Sequence, residues 1–318
     1  MENIHEFENI PKIDKVKQSI RKLKQTEFPR YNGENVEDFV SIISNILERE
    51  FNLIPNIKQP FKCNSFLTKF FRARELDAIS SINFIREHSY PPIDIVGMGR
   101  CNFPKYPVFY CSNNAFTALI EVIKNYKNKN KKFCISKWEL IKTEEELLFE
   151  SFLQVELPKE NNFNMLKEKI QEKINLPFEK SFNQKLDKER EEGLLEYLKY
   201  LDSCFISDNN YSLSATLAYR ALYANHNFRT DVLMYPSVQT LFKGVNLAMQ
   251  PNFVENNLKL TRLYIVELDK QDLDSGKINL TFYKYAEVEK NIIMWKEISE
   301  NLEHYHEIIK EDFGEEIE

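Results

Sequence analysis

Arg100, Tyr110 and Glu121 fall within one short stretch of the chain. It runs from Gly99-Arg100-Cys101-Asn102 through Pro107-Val108-Phe109-Tyr110-Cys111-Ser112 to Ala118-Leu119-Ile120-Glu121. A guanidinium grips phosphate with parallel N–H donors, a tyrosine offers a ring and a hydroxyl, and a carboxylate stabilises positive charge that develops in a reaction. Spaced along a loop, a strand and a helix, the three outline a polar site. On pattern alone, Glu121 between Ile120 and Val122 reads first as a solvated helix position.

The elements that would position this trio follow from local chemistry. Pro107 cannot continue a helix and Val108, Phe109 and Tyr110 favour a pleated backbone, so Pro107–Ser112 is predicted as a strand with Val108, Tyr110 and Ser112 on one face. Asn113 and Asn114 suit a helix N-cap, and Phe116, Leu119, Ile120 and Ile123 recur at helical spacing from Ala115 to Tyr126. Upstream, Phe66–Arg74 reads as a strand in which period two aligns Phe70, Arg72 and Arg74. Two guanidiniums side by side call for either an acidic neighbour or a phosphate. The Gly97-Met98-Gly99 segment lacks the third glycine and the strand-to-helix context of a dinucleotide fingerprint, and reads as a tight loop delivering Arg100.

Composition narrows the class. The 318 residues are 42% hydrophobic and 29% charged, within the ordinary globular range, and a net charge of −6 with a pI of about 5.6 argues against nucleic-acid binding as the main role. No long apolar run suggests a membrane span, and the N-terminus lacks the basic start and apolar core of a signal peptide, so a cytoplasmic location is expected. Five cysteines without CxxC spacing point to reduced thiols, and no metal is expected. The basic run Lys124–Lys132 reads as a solvated turn after a helix.

The rest of the chain supplies a scaffold. Ile13, Val16, Ile20 and Leu23, then Val36, Phe39, Ile43 and Ile46, predict two amphipathic helices on either side of an Asn32-Gly33 turn. Glu144 to Leu201 has the Glu, Lys and Leu periodicity of a charged helical insertion, and Ser212–Asn225 reads as a further helix. Strands are predicted over Asp231–Ser237, Val245–Met249, Leu258–Val266 and Ile278–Phe282, with a turn at Asp274-Ser275-Gly276. Residues from Glu289 onward read as a polar helix and an acidic tail.

Three blocks together resemble the RES domain family: Phe70-Phe-Arg-Ala-Arg74; Gly99-Arg-Cys-Asn102 with Pro107–Ser112 and the Ala118–Glu121 run; and Met234-Tyr-Pro-Ser-Val-Gln239 with Gly244–Pro251. The similarity spans roughly Phe66 to Val266, with the helical insertion between the second and third blocks. It implies an α+β fold with an ADP-ribosyltransferase-like mixed β core, extended by N-terminal helices and a long helical insertion. It also implies an enzyme that consumes NAD as substrate and cleaves the nicotinamide–ribose bond by phosphorolysis, with inorganic phosphate as co-substrate, or by hydrolysis. Many members of that family are toxins held by an antitoxin protein. The alternatives are a protein ADP-ribosyltransferase, or an inactive interaction module on the same fold.

Carried over by position, the family's arginine falls on Arg100, its tyrosine on Tyr110, its glutamate on Glu121 and its serine on Ser237. Arg72 or Arg74 stands for an earlier arginine, and Asn246 lies close enough in sequence to Ser237 to touch the same ligand. Glu121 is the expected stabiliser of the oxocarbenium-like ribose, the arginines the phosphate binders, and Tyr110 and Ser237 the contacts to the nicotinamide riboside. The expected domains are a helical extension over 1–60, the NAD-binding catalytic domain over 61–288 with its insertion at about 140–205, and a helix and tail over 289–318.

Overall fold

The computed structural model describes residues 9–55, 58–62, 68–123, 131–141, 146–172, 174, 179, 185–223, 229–272, 277–298 and 302–313. Cys63, the basic run over Lys124–Asn130 and the predicted turn at Asp274–Gly276 lie outside them. The helices in chain order are α1 (Ile13–Leu23), α2 (Val36–Phe51), α3 (Ala115–Val122), α4 (Asn164–Glu172), α5 (Lys188–Ser207), α6 (Ser212–Leu222), α7 (Pro251–Asn257) and α8 (Leu302–Phe313). The strands are β1 (Lys58–Lys62), β2 (Lys69–Glu75), β3 (Phe109–Ser112), β4 (Lys132–Leu140), β5 (Glu146–Ser151), β6 (Val232–Pro236), β7 (Val245–Met249), β8 (Leu258–Asp272), β9 (Lys277–Glu289) and β10 (Ile292–Glu297). The chain is therefore an α+β protein. Among the described residues no helix is long and apolar enough to cross a membrane.

The chain divides into two compact units, interleaved along the sequence. The first comprises Met1–Gln59, Val96–Tyr106 and Leu148–Pro236, and the second Pro60–Ile95, Pro107–Leu147 and Ser237–Glu318. Arg100 thus belongs to the first unit, whereas Tyr110, Glu121, Ser237, Asn246, Arg72 and Arg74 belong to the second.

The first unit is mostly helical. Asn35 caps α2 by accepting from the backbone N–H groups of Glu37 (2.8 Å) and Asp38 (3.2 Å), as its polar amide before an apolar run predicts. Gly193 inside α5 is explained by a close crossing, since a Cβ there would stand 2.5 Å from the Pro11 carbonyl oxygen. The segment expected to be a purely helical insertion opens instead with β5, which pairs in parallel with β6. Its Leu147 and Phe149 alternate with less buried neighbours, a period-two signal overshadowed by the Glu-rich composition around it.

The second unit is built on strands in the order β7-β3-β2-β4-β8-β9-β10, antiparallel throughout. One face of this sheet carries Phe71, Ala73, Phe133, Ile135, Tyr264 and Val266. They pack beneath Ala115, Ala118 and Leu119 of α3, Ile123 at its C-terminal cap, and Tyr305, Ile309 and Phe313 of α8. Burial of this apolar layer is the main force holding both helices to the sheet. The Ile292–Glu297 segment, expected to be helical, is a strand paired with β9. Lys290 and Asn291 adopt positive φ values of 47° and 65°, forming the two-residue loop that turns β9 back on itself.

A buried ion-pair network fixes α8. The Asp312 side chain is fully buried, 2.7 Å from Lys137 Nζ and 2.8 Å from Arg262, and accepts a 2.6 Å hydrogen bond from the Tyr264 hydroxyl. Lys137 itself is 3% exposed. Each ion therefore depends on its partners for the solvation it has lost.

Candidate functional site

The corner between β3 and α3 is set by two asparagines. Asn114 Oδ1 accepts from the Thr117 N–H at 2.7 Å and starts the helix, while Asn113 exchanges backbone and side-chain hydrogen bonds with Val245 at 3.2 and 3.0 Å. The second clamp holds the corner against β7, whose Asn246 pairs directly with Ser112 of β3. Helical spacing then puts Thr117 and Glu121 on one stripe of α3. Thr117 packs so tightly on Gly244 that a Cβ at that glycine would lie 2.1 Å from the threonine Oγ1.

Glu121 receives two donors at one oxygen. Its Oε1 accepts from the Ser237 hydroxyl at 2.6 Å and from the Asn246 amide at 2.7 Å. Asn246 is oriented in turn by the Ser112 hydroxyl, which donates to its Oδ1 at 2.8 Å. Ser112, Ser237 and Asn246 are buried at 2%, 0% and 5% exposure, whereas Glu121 stays partly open to solvent. The carboxylate is thereby held in one orientation, and neither donor occupies Oε2.

Ser237 is also the hub of the loop that follows it. Its N–H donates to Gly244 O at 2.9 Å, its carbonyl accepts from Phe242 N–H at 2.9 Å and the Thr240 hydroxyl at 3.2 Å, and its Oγ accepts from Thr240 N–H at 3.3 Å. Within the same loop Leu241 and Phe242 both adopt positive φ. The network holds this uncommon backbone in place.

Tyr110 stands two residues before Ser112 and shares its face of the sheet, half-buried. Arg72 and Arg74 take the other face. Phe71 pairs with Ser112, and strand alternation turns the flanking residues of β2 away. Arg72 lies 5.6 Å from the Phe109 ring centre and donates to the Tyr110 carbonyl at 2.9 Å, with its Nε shielded from solvent and without an acceptor among the described residues. Burial, with the neighbouring Arg74 charge, pushes Arg72 down to about 10, so it remains cationic at neutral pH.

Arg74 is tied into the fold. It donates to the Glu87 carbonyl and, at 2.6 Å, to that of Ala78, and lies 3.8 Å from the Glu87 carboxylate. The acidic partner that two aligned arginines call for is therefore present for Arg74, while Arg72 has none among the described residues. Beside them the His88 Nδ1 lies 3.7 Å from the Cys134 sulfur. Burial pushes that thiol up to about 12 and lowers the imidazole, so neither group is charged at neutral pH.

In the first unit Arg100 sits in a tight turn closed by paired backbone hydrogen bonds between Gly99 and Asn102. The buried Asn102 amide ties this turn to Gly97 O at 2.7 Å. Arg100 donates to the Phe205 carbonyl and lies 5.4 Å from the Tyr211 ring centre. Of the residues singled out in the sequence, Glu121, Ser237 and Asn246 make direct contact. Ser112 is an addition, legible only as the residue two places beyond Tyr110. Gly244 and Thr117 are another, and only the glycine between two apolar runs hinted at a close approach. Among the described residues no group of three His, Cys, Asp or Glu side chains is arranged to hold a metal.

No family model, curated protein or solved structure matches the chain.

Proposed function

We propose that the second unit cleaves the nicotinamide–ribose bond of NAD, by phosphorolysis or hydrolysis, with Glu121 at the reacting sugar. The observation that carries this reading is the convergence of Ser237 and Asn246, 116 and 125 positions away in sequence, on Oε1 of Glu121. A carboxylate fixed from one side and open on the other suits a reaction in which positive charge grows on a sugar. The three residues also occupy the positions at which the sequence resembles the RES domain family, and that resemblance supplies the substrate.

In this mechanism the C1′–N bond breaks with its electron pair moving to the pyridinium nitrogen, so nicotinamide departs neutral and no general acid is required. The ribose gains oxocarbenium character, which the Glu121 carboxylate stabilises while Oε2 holds a ribose hydroxyl or the incoming nucleophile. Water attacking C1′ yields ADP-ribose and releases a proton; a phosphate oxygen yields the 1-phosphate. Ser237 and Asn246 hold the carboxylate in place, and Tyr110 borders the same face.

Purified protein is incubated with NAD, with and without phosphate, and free nicotinamide is measured. Release is expected, with its phosphate dependence separating the two nucleophiles, and Glu121→Ala is expected to lower the rate by ~10² to 10⁴. No release under either condition refutes the proposal.

A further inference from the structure

The sheet of the second unit ends at β10, and among the described residues no strand pairs with its outer edge. Soluble proteins blunt such edges with proline, bulges or inward-facing charge, because the free N–H and C=O groups otherwise recruit another strand. β10 has no proline and no bulge, and its charges, Lys296 and Glu297, come only at its far end, where they are ion-paired to Glu287 and Lys284 of β9. Its sequence is Ile-Ile-Met-Trp-Lys-Glu, its register with β9 is unbroken from Ile292 to Glu297, and the two-residue turn before it holds it rigidly against β9. On its open face Ile292 and Met294 are 64% and 49% exposed. On the other face the Trp295 Nε1 is shielded from solvent yet has no acceptor among the described residues, an unusual state for an indole N–H.

We propose that β10 is a self-association edge. Two copies of the chain pair antiparallel through Ile292–Glu297 about a two-fold axis at Met294, joining their sheets into one. The occupant is chosen by self-complementarity. In this register Met294 faces its own counterpart, Ile293 faces Trp295, and the aliphatic stem of Lys296 covers Ile292, so no like charges stand opposite one another. Moving the axis to Trp295 would set Ile293 against Glu297 and Met294 against Lys296. The two acidic neighbours on β9, Glu287 and Glu289, lie beside Met294 and Ile292, and Ile292 to Trp295 of the edge itself are apolar.

Sedimentation of the full chain over a concentration series tests the association. The wild type is expected to double its mass with rising concentration. Met294→Lys places two ammonium groups directly opposite each other at an exposed position, and is expected to weaken association by about tenfold or more while circular dichroism stays unchanged. Register is tested by oxidising Met294→Cys and Ile292→Cys, with the wild type as background for its own thiols. Directly opposed residues stand about 4.5–5.5 Å apart, within disulfide reach, whereas two copies of position 292 would be about 13 Å apart. Cross-linking of Met294→Cys alone supports the proposal. A wild type that stays monomeric, an unweakened Met294→Lys dimer, or equal cross-linking at both positions overturns it.

Discussion

Replacing Asn246 with aspartate probes the polar centre of the second unit while leaving its shape intact. Asn246 presents Oδ1 to the Ser112 hydroxyl at 2.8 Å and Nδ2 to Glu121 Oε1 at 2.7 Å. In Asn246→Asp the bond from Ser112 is kept, and the change falls on the second contact, where a carboxylate oxygen replaces the amide. Two unit charges about 3 Å apart at an effective dielectric of about 20 repel by about 5 kcal/mol, an upper bound for a partly open site. Two carboxylates this close cannot both ionise freely, so the upper apparent value of the pair is raised and a proton is held between them.

The sign follows from linkage. A carboxyl whose folded-state value is raised adds stability that is complete below its unfolded value, near about pH 4, and is lost as pH rises through the raised value. Asn246→Asp should thus melt close to the wild type at about pH 4 and progressively below it by about pH 8. Nicotinamide release at neutral pH should fall as the shared proton weakens the negative charge on Glu121. Asn246→Ala, which removes the hydrogen bond to Glu121 and the acceptor of the Ser112 hydroxyl, should cost about 1.5–3 kcal/mol and show no further widening between about pH 6 and pH 8. Thermal melts of the three proteins across this range decide the matter. A constant gap between Asn246→Asp and wild type would refute the contact between Asn246 and an ionised Glu121.

Gly244→Ala should destabilise the protein by about 1–3 kcal/mol in urea titration and reduce nicotinamide release through displacement of α3, with partial rescue by adding Thr117→Ala. Asp312→Ala takes the nearest carboxylate from the buried Lys137 and the partly buried Arg262, leaving them Glu139 at 3.4 Å and Glu311 at 3.6 Å, and should cost about 3 kcal/mol, read from the shift of the denaturation midpoint. In the first unit, burial raises Glu150 to about 7 against the opposing pull of Lys58 and a hydrogen bond from Thr230. Its protonation favours the fold below the ordinary carboxyl range, and that contribution disappears as pH rises through about 7, so Glu150→Gln should flatten the loss of thermal stability between about pH 5 and pH 8.

Much of the second unit was legible because its cues are local. Asn114 before an apolar helical run announced α3, and the aromatic alternation around Phe70 and Phe109 announced β2 and β3. The meeting of Glu121 with Ser237 and Asn246 came from the resemblance, since nothing local links positions so far apart. The sheet faces were not legible. Period two aligned Arg72 with Arg74 correctly, but whether they share a side with Ser112 depends on the pairing of Phe71 with Ser112, a register between strands that neither strand encodes alone. β10 was read as helix because the Glu- and Lys-rich residues around it dominated the reading, although Ile293 and Trp295 stand two apart as in a strand; the deciding feature was the backbone of Lys290 and Asn291. Arg100 was grouped with Tyr110 by proximity in sequence, but the chain crosses between units within those few residues.

The Asp312 network bears on synthesis. Lys137 and Arg262 are laid down in β4 and β8 well before their common counter-ion, so the nascent sheet carries one cation at a position that is buried, and one at a position partly buried, once folding is complete. Until α8 emerges, those positions keep their water, and the adjoining strands stay short of their final packing. Arrival of Asp312 gives both cations their nearest carboxylate and lets Tyr305, Ile309 and Phe313 seal the apolar layer beneath α3. The helix bearing Glu121 therefore acquires its final support only after α8 has been made. Chains stalled before that point would hold every residue of the candidate site without the packing that positions it.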